Sequence, residues 1–264
     1  MKNLFIIFFL FCNFNSVSAV EFKGSFSQGS FILGKTEPGS KVIVDEKKIR
    51  VTKDGFFAFG LDRDRENDVI IKVVKNDKLN IFKKKVLKRK YKIQRIDGLP
   101  PKQVTPPPEV FERIKKDNIL IGKARSIDSS YNFFKEKFIY PIDKYIITGV
   151  YGSQRILNGK PRRPHYGIDF HAPEGTPIKA MMDGEVTLVE NDMYFTGGTI
   201  IFDHGHGIST LYMHMRDINV KIGQKVKQGE IVGTLGQTGR ATGPHLDIRL
   251  NWFNVKLDPA TILN

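Results

Sequence analysis

The side chains in this sequence that could do chemistry fall in three short stretches. His165 and Asp169 stand four apart in PHYGIDFHAPEGTPIKAMMDGEV, His214 lies in LYMHM, and His245 and Asp247 stand two apart in GPHLDIRL. Two of the three stretches thus pair a histidine with a carboxylate at a spacing that can grip one metal ion. A catalytic zinc takes three protein ligands from His, Asp or Glu, keeps a fourth place open for water, and brings the pKa of that water toward neutrality. Hydrolysis of a peptide bond then needs a base for the water and a donor for the developing oxyanion, tasks that neutral or protonated histidines can do. H-x-x-x-D by itself is a common pattern, so the argument turns on whether the three stretches can meet.

Strand alternation lets them. In LYMHMR, Leu211, Met213 and Met215 share one side and Tyr212, His214 and Arg216 the other. In HLDIRL, Leu246, Ile248 and Leu250 point one way and His245, Asp247 and Arg249 the other. A strand would also put His165 and Asp169 on a common side, although Pro164 and Gly167 place His165 in the loop that feeds it. From about Phe138 onward the chain reads as short strands punctuated by glycine turns, among them GIDF, GEVTLVE, GTIIFDH and GEIVGTLGQ. Three strands can therefore aim His165, Asp169, His214, His245 and Asp247 into one groove.

A chain of 264 residues is long enough for two modest cores, and its 20 phenylalanines exclude wholesale disorder. Residues 1–19, MKNLFIIFFLFCNFNSVSA, have the short basic start, the apolar run and the small Val17-Ser18-Ala19 ending of a cleaved secretory signal. Phe11 precedes Cys12 where a lipoprotein signal needs a small residue. Cys12 is the only cysteine, so the exported chain must hold together by packing without disulfides, which suits a periplasm or cell envelope. The net charge of +14 favours polyanionic partners. Export argues against nucleic acid and leaves an anionic wall or lipid, and no further apolar stretch offers a membrane span.

The fold class expected is all-β, in two units. Residues 20–96 contain KVIV, GFFAFGL, DVIIKVV and NIFKKKVLK between turn-forming PGS, KDG and KND, a spacing that predicts a small antiparallel sandwich and resembles the Ig-like modules of secreted proteins. Its lysine run, KKKVLKRKYK, reads as a solvated edge strand protected from aggregation, with contact to an anionic wall as the alternative. Residues 97–137 form a connection. GLPPKQVTPPP is too rich in proline for a helix or central strand and predicts a stiff extended linker. EVFERIKKDNILIGKARS then carries Val110, Phe111, Ile114 and Ile119 at roughly helical spacing, predicting one short helix packed on the unit that follows, residues 138–264.

PHYGIDFHAPEGTPIKAMMDGEVTLVE, GGTIIFDHGHGISTLYMHM and VKIGQKVKQGEIVGTLGQTGRATGPHLD, in that order, resemble the catalytic domain of the lysostaphin-type (LytM) zinc metallopeptidases over about Tyr140 to Pro259. The resemblance implies an antiparallel β-sheet groove preceded here by the sandwich-like module, a zinc cofactor, and hydrolysis of peptide cross-links in bacterial peptidoglycan. It also implies that His165 and Asp169 are the first two zinc ligands, that His214 helps stabilise the oxyanion, and that His245 acts on the water.

The sequence departs from the family pattern at one place. The third ligand should be the second histidine of H-x-H, and Asp247 stands there. A carboxylate oxygen and an imidazole Nδ1 both lie two bonds beyond Cβ, so Asp247 can take the third place, giving a His, Asp, Asp set. Two carboxylates would cancel the double charge of zinc and weaken its Lewis acidity, and such a set would also accept manganese or another harder ion. The contrary expectation is that Arg249, on the same strand face, pairs with Asp247 and breaks the site. The chain would then resemble LytM-like proteins that lack ligands and bind the wall or activate a cell-wall amidase.

The remaining histidines have plainer readings. His171 lies two past Asp169 and either supplies a ligand or ends the strand, while His204 and His206 in DHGHG belong to a hairpin turn. VKIGQKVKQGEIVGTLGQ also resembles half of a biotinyl or lipoyl carrier domain. The Met-Lys-Met turn that such carriers modify is absent from this sequence, so the likeness reports sheet geometry.

Overall fold

The computed structural model describes residues 20–98 and 104–263. The expected signal segment, residues 1–19, and part of the proline-rich connection, residues 99–103, lie outside the described residues.

The first strands are β1 (Glu21–Lys23), β2 (Phe31–Lys35), β3 (Lys41–Val44), β4 (Lys47–Ile49), β5 (Phe56–Gly60), β6 (Val69–Lys75) and β7 (Lys78–Lys84). They pair as one sheet in the order β1-β2-β5 and a second in the order β4-β3-β6-β7. Alternation selects their inner faces: Val69, Ile71 and Val73 of β6 are buried, and they share a core with Ile32, Phe57 and Phe59 of the other sheet. β7 is an edge strand carrying Lys78, Lys83 and Lys84, as the aggregation-blocking reading of the lysine run expects.

The following strands are β8 (Ile93–Ile96), β9 (Ile146–Gly149), β10 (Gln154–Leu157), β11 (Lys160–Pro161), β12 (Ile168–His171), β13 (Pro177–Lys179) and β14 (Gly184–Met193). After them come β15 (Gly197–Gly205), β16 (Ile208–Ile218), β17 (Lys225–Val226), β18 (Ile231–Leu235), β19 (Leu246–Trp252) and β20 (Val255–Leu257). The large antiparallel sheet runs β17-β14-β15-β16-β19-β12-β9, with β18 joining β13 to β16 and β20 beside β19. The all-β class and the antiparallel architecture are those expected from the sequence.

One face of this sheet packs Ile168, Phe170, Ile200, Phe202, Tyr212, Leu246 and Ile248 into a core. Helix α1 (Phe111–Arg125) covers part of the other face, setting Ile121 and Ala124 on Leu188, Ile201, Leu211 and Met213. The helix was expected, but not this buried face: Phe111 and Ile119 are exposed. Contact is made by the C-terminal end of the helix, beyond the residues that carried the sequence pattern.

The first unit packs directly on the second. Its core includes Ile208, Leu250, Trp252 and Leu257 of the large sheet and its flanks. The end of the first unit also joins a further small sheet: β8 pairs in parallel with β10, Gln94 opposite Arg155, and β10 turns back through β11.

His204 was expected in a turn and instead lies within β15 as a buried residue, because the tight β15–β16 turn needs only His206 and Gly207. Its Nδ1–H donates to the Asp183 carbonyl at 2.8 Å, and its Nε2 lies 2.8 Å from the Thr210 hydroxyl. Burial pushes this imidazole from 6.5 down to about 4. Between those values the unfolded chain takes up a proton that the folded chain refuses, so stability should fall as pH drops, by at most about 1.4 kcal/mol per pH unit from this group. Urea unfolding at stepped pH should show that slope in the wild type and a shallower one in His204→Asn, which keeps a donor near Asp183 but does not titrate.

Candidate metal centre

The centre is built on one row of residues across three strands. β12 pairs with β19 so that Asp169 lies directly opposite Asp247, and Asp247 in turn lies opposite Met213 of β16. Residues paired in this way point to one face with their Cβ atoms about 5 Å apart, and like charges so placed repel. Both aspartates are buried.

His165 completes the group from the loop before β12, where the sequence placed it. Its backbone is clipped at both ends to the turn before β10, since its N–H donates to Ser153 O at 2.9 Å and its carbonyl accepts from the Gly152 N–H at 2.7 Å. Its Nε2 lies 3.1 Å from Asp169 Oδ1, and its Nδ1 lies 4.0 Å from Asp247 Oδ2. One ligand atom from each of His165, Asp169 and Asp247 can be chosen so that all lie within 4.8 Å of one another. Both His165 nitrogens and Asp169 Oδ1 are buried without a hydrogen-bond partner. Buried polar atoms seldom go unsatisfied. An imidazole and two carboxylates that converge in this state fit a divalent ion, which would give those atoms their missing partner.

Each carboxylate is also held by an arginine. Arg155 Nη2 donates to Asp169 Oδ2 at 3.0 Å, and Gln94 Oε1 accepts from Arg155 Nε at 3.3 Å. Arg249 Nη2 donates to Asp247 Oδ2 at 3.0 Å. The pairing of Arg249 with Asp247 therefore exists, yet Asp247 is not drawn away from His165 and Asp169, because a carboxylate has acceptor capacity for both. Burial opposes ionisation of Asp169, but His165, Arg155 and His245 together hold its carboxyl well below the usual carboxylate range.

His214 and His245 stand beside this row, their ring centres 4.6 Å apart. His214 Nδ1 lies 2.8 Å from Thr238 O, and His245 Nδ1 lies 2.8 Å from Gly243 O. A carbonyl only accepts, so Nδ1 carries the proton in each ring and Nε2 of the neutral form is left as an acceptor. Burial, and then the neighbouring His245, push His214 down to about 4, leaving it neutral near pH 7.

Simple alternation fails at His214. The residue has a φ of 64°, and the β15 register jumps from Ile200 opposite Tyr212 to Gly198 opposite Met215. This bulge sends Met215 to the same core as Tyr212, whereas alternation had put it with Leu211 and Met213. Tyr212 accordingly points away from the centre, its hydroxyl accepting from the Met181 N–H at 2.8 Å. His171 stays out of the cluster: it is exposed at the end of β12, with Nδ1 2.7 Å from Pro244 O.

Sequence reasoning missed Arg155 and two glycines. A methyl group built on Gly149 would overlap Asp169 Oδ2, and one on Gly167 would overlap Asp247 Oδ1. The glycines in TGVYG and HYGID, and the basic run around Arg155, were visible, but their relation to the carboxylates needs the strand pairing.

Residues 163–259 match the model of peptidase family M23. The peptidoglycan DD-endopeptidases ShyA and ShyC of Vibrio cholerae are each 41% identical to this chain, over 113 and 140 residues respectively. Those matches cover 42% and 51% of this chain but 26% and 31% of the relatives, so the chain spans under a third of their length. A solved Pseudomonas aeruginosa structure assigned to peptidase M23 has a TM-score of 0.71 over 90% of this chain and 95% of that one, at 24% identity, which is a likeness of fold. Residues 163–259 therefore carry a peptidase M23 domain.

Gly149→Ala and Gly167→Ala should displace the carboxylates and weaken divalent-ion binding at least about tenfold. Gly122→Ala, whose added methyl meets nothing within 4 Å, should leave binding unchanged. Chelator competition measures all three.

Proposed function

We propose that this chain is a metalloendopeptidase of the bacterial cell envelope that hydrolyses peptide cross-links of peptidoglycan. The observation that carries the reading is the buried trio of His165, Asp169 and Asp247, in which both His165 nitrogens and Asp169 Oδ1 lack a hydrogen-bond partner, in a region matching peptidase family M23. The names of the two Vibrio cholerae relatives give the substrate class. Residues 138–264 are read as the catalytic unit and residues 20–96 as a module docked on it.

His165, Asp169 and Asp247 would hold the ion, read here as zinc. When bound, zinc supplies a Lewis acid that makes water nucleophilic near neutral pH. His245, whose Nδ1–H is given to the Gly243 carbonyl, takes a proton from the attacking water at Nε2 and returns one to the leaving amine. His214 lies beside it with its Nδ1–H fixed by Thr238. It can therefore donate to the developing oxyanion only with a second proton on Nε2, a state that its burial opposes. Arg155 and Arg249 draw negative charge from the two carboxylates and so offset the extra anionic ligand that Asp247 introduces.

Asp247→Ala should lose bound zinc and peptidoglycan digestion together, with metal affinity down more than about 100-fold, whereas Asp247→His should keep the metal. Arg249→Gln should keep the metal and digest about 10- to 100-fold more slowly. Metal analysis beside release of peptide fragments from purified peptidoglycan checks all three. Wild-type protein that holds no metal yet stimulates a cell-wall amidase would overturn the enzyme reading.

A further inference from the structure

Away from the metal centre, a cavity of about 260 Å³ opens between the β3–β4 hairpin of the sandwich and two tight turns of the large sheet. β19 leads from one place to the other: Trp252, in the wall of the cavity, stands five residues past Asp247, roughly 17 Å along the strand. None of the residues placed at the centre lines it. Interfaces between folded units are common places for small-ligand sites.

Two side chains in its wall stand on left-handed backbone. Phe253 is the first residue of the two-residue β19–β20 turn and takes a φ of 50°, at a position where glycine is usual. His206 takes a φ of 54° in the β15–β16 turn, and the Phe253 N–H ties the two turns together by donating to Gly207 O at 2.7 Å. Left-handed backbone is costly for a bulky residue, and strain of this kind gathers at ligand clamps. His206 is 6% exposed, its ring centre lies 4.7 Å from that of Phe134, and its Nδ1 is buried without a hydrogen-bond partner. Burial lowers the pKa of the ring, so near neutral pH it is uncharged. Nδ1 then donates or accepts according to the tautomer, and a hydroxyl meets either need.

The sandwich side of the cavity is cationic. Lys47 and Lys48 of β4 and Arg50 just beyond it line the space. Asp128, the one acid in the lining, pairs with Arg50 at 2.8 Å. Among the described residues neither lysine forms an ion pair. Lys47 Nζ instead rests 3.7 Å from the centre of the Phe253 ring and 4.7 Å from that of Trp252. We propose that this cavity binds a single sugar ring bearing an anionic group, a sugar acid or a sugar phosphate, with the anion at Lys47 and Lys48 and a hydroxyl at His206 Nδ1. Its volume lies below the roughly 300–1,000 Å³ of pockets for drug-sized ligands, which suits one ring and not a chain. Phe253 and Trp252 give the apolar surface, and the charged and polar groups fix the orientation. The site uses no residue of the metal centre, so it stands apart from the hydrolase reading.

Trp252 is the single tryptophan of the chain, so its fluorescence in the full-length protein reports on this cavity and on no other site. Glucuronate, glucose 1-phosphate, glucose and inorganic phosphate are titrated in turn. Glucuronate, glucose 1-phosphate or both should change the emission with an affinity at least about tenfold above those of glucose and phosphate. Whichever of the two binds more tightly tells whether the anion is a carboxylate or a phosphate. Lys47→Gln with Lys48→Gln, on an exposed edge strand where folding is not at risk, should bring that affinity within about threefold of the glucose value. His206→Phe, which keeps a ring against Phe134 and removes the nitrogen, should lower it about threefold or more, with urea unfolding as the check that the variant is folded. No response to either charged sugar, glucose or phosphate binding as tightly as both, or an affinity unchanged in the lysine variant or in folded His206→Phe would each overturn the proposal.

Discussion

The antiparallel pairing of β12 with β19 places the buried carboxylates of Asp169 and Asp247 directly opposite one another. Two buried anions in that position can coexist only if positive charge is brought to both. Arg155 supplies it to Asp169 and Arg249 to Asp247; Asp169 Oδ1 faces His165 Nε2, and Asp247 Oδ2, while bonded to Arg249, lies 4.0 Å from His165 Nδ1. The pair that would destabilise a bare sheet thereby becomes a candidate cation site, able to offer a divalent ion two anionic ligands. Gly149 and Gly167 are part of the arrangement because the carboxylates lie where their side chains would be.

This balance extends beyond the region that matches peptidase family M23. Arg155 lies outside residues 163–259, and the hairpin that carries it is paired on its open side by β8, which emerges from the N-terminal sandwich. Gln94 of β8 accepts from the same guanidinium that holds Asp169. The sandwich in turn shares a core with Leu250, Trp252 and Leu257 on the strands that follow Asp247. The module is therefore a support for one end of the metal centre as well as a neighbour of the other, and its docking limits how far Arg155 can move.

Histidine roles divide by burial and by partner. His204 is locked neutral between Asp183 and Thr210 inside the core, a structural use of the ring. His214 and His245 each give their Nδ1–H to a loop carbonyl and keep Nε2 as an acceptor. His165, with neither nitrogen hydrogen-bonded, is the one poised to ligate. The bulge at His214 makes these roles compatible: without it, Tyr212 and His214 would lie on one face, and the buried Tyr212 hydroxyl would lose its place at Met181.

The features legible along the chain are local ones. The β class, the edge lysines, the loop position of His165 and the identity of the five chemical residues follow from period-two alternation, turn chemistry and donor type, all of which act within a few residues. Alternation misled at His214, where one left-handed residue resets the side-chain phase, and at α1, where packing on β14 and β15 chose a face other than the one the pattern favoured. Tertiary structure alone decided that Asp247 faces Asp169, that Arg249 can bond Asp247 without removing it from the cluster, and that Arg155 belongs to the centre. These depend on strand pairing between segments about 80 residues apart (169 to 247), and on how one carboxylate divides its lone pairs among several neighbours, neither of which is written in the spacing of residues along the chain.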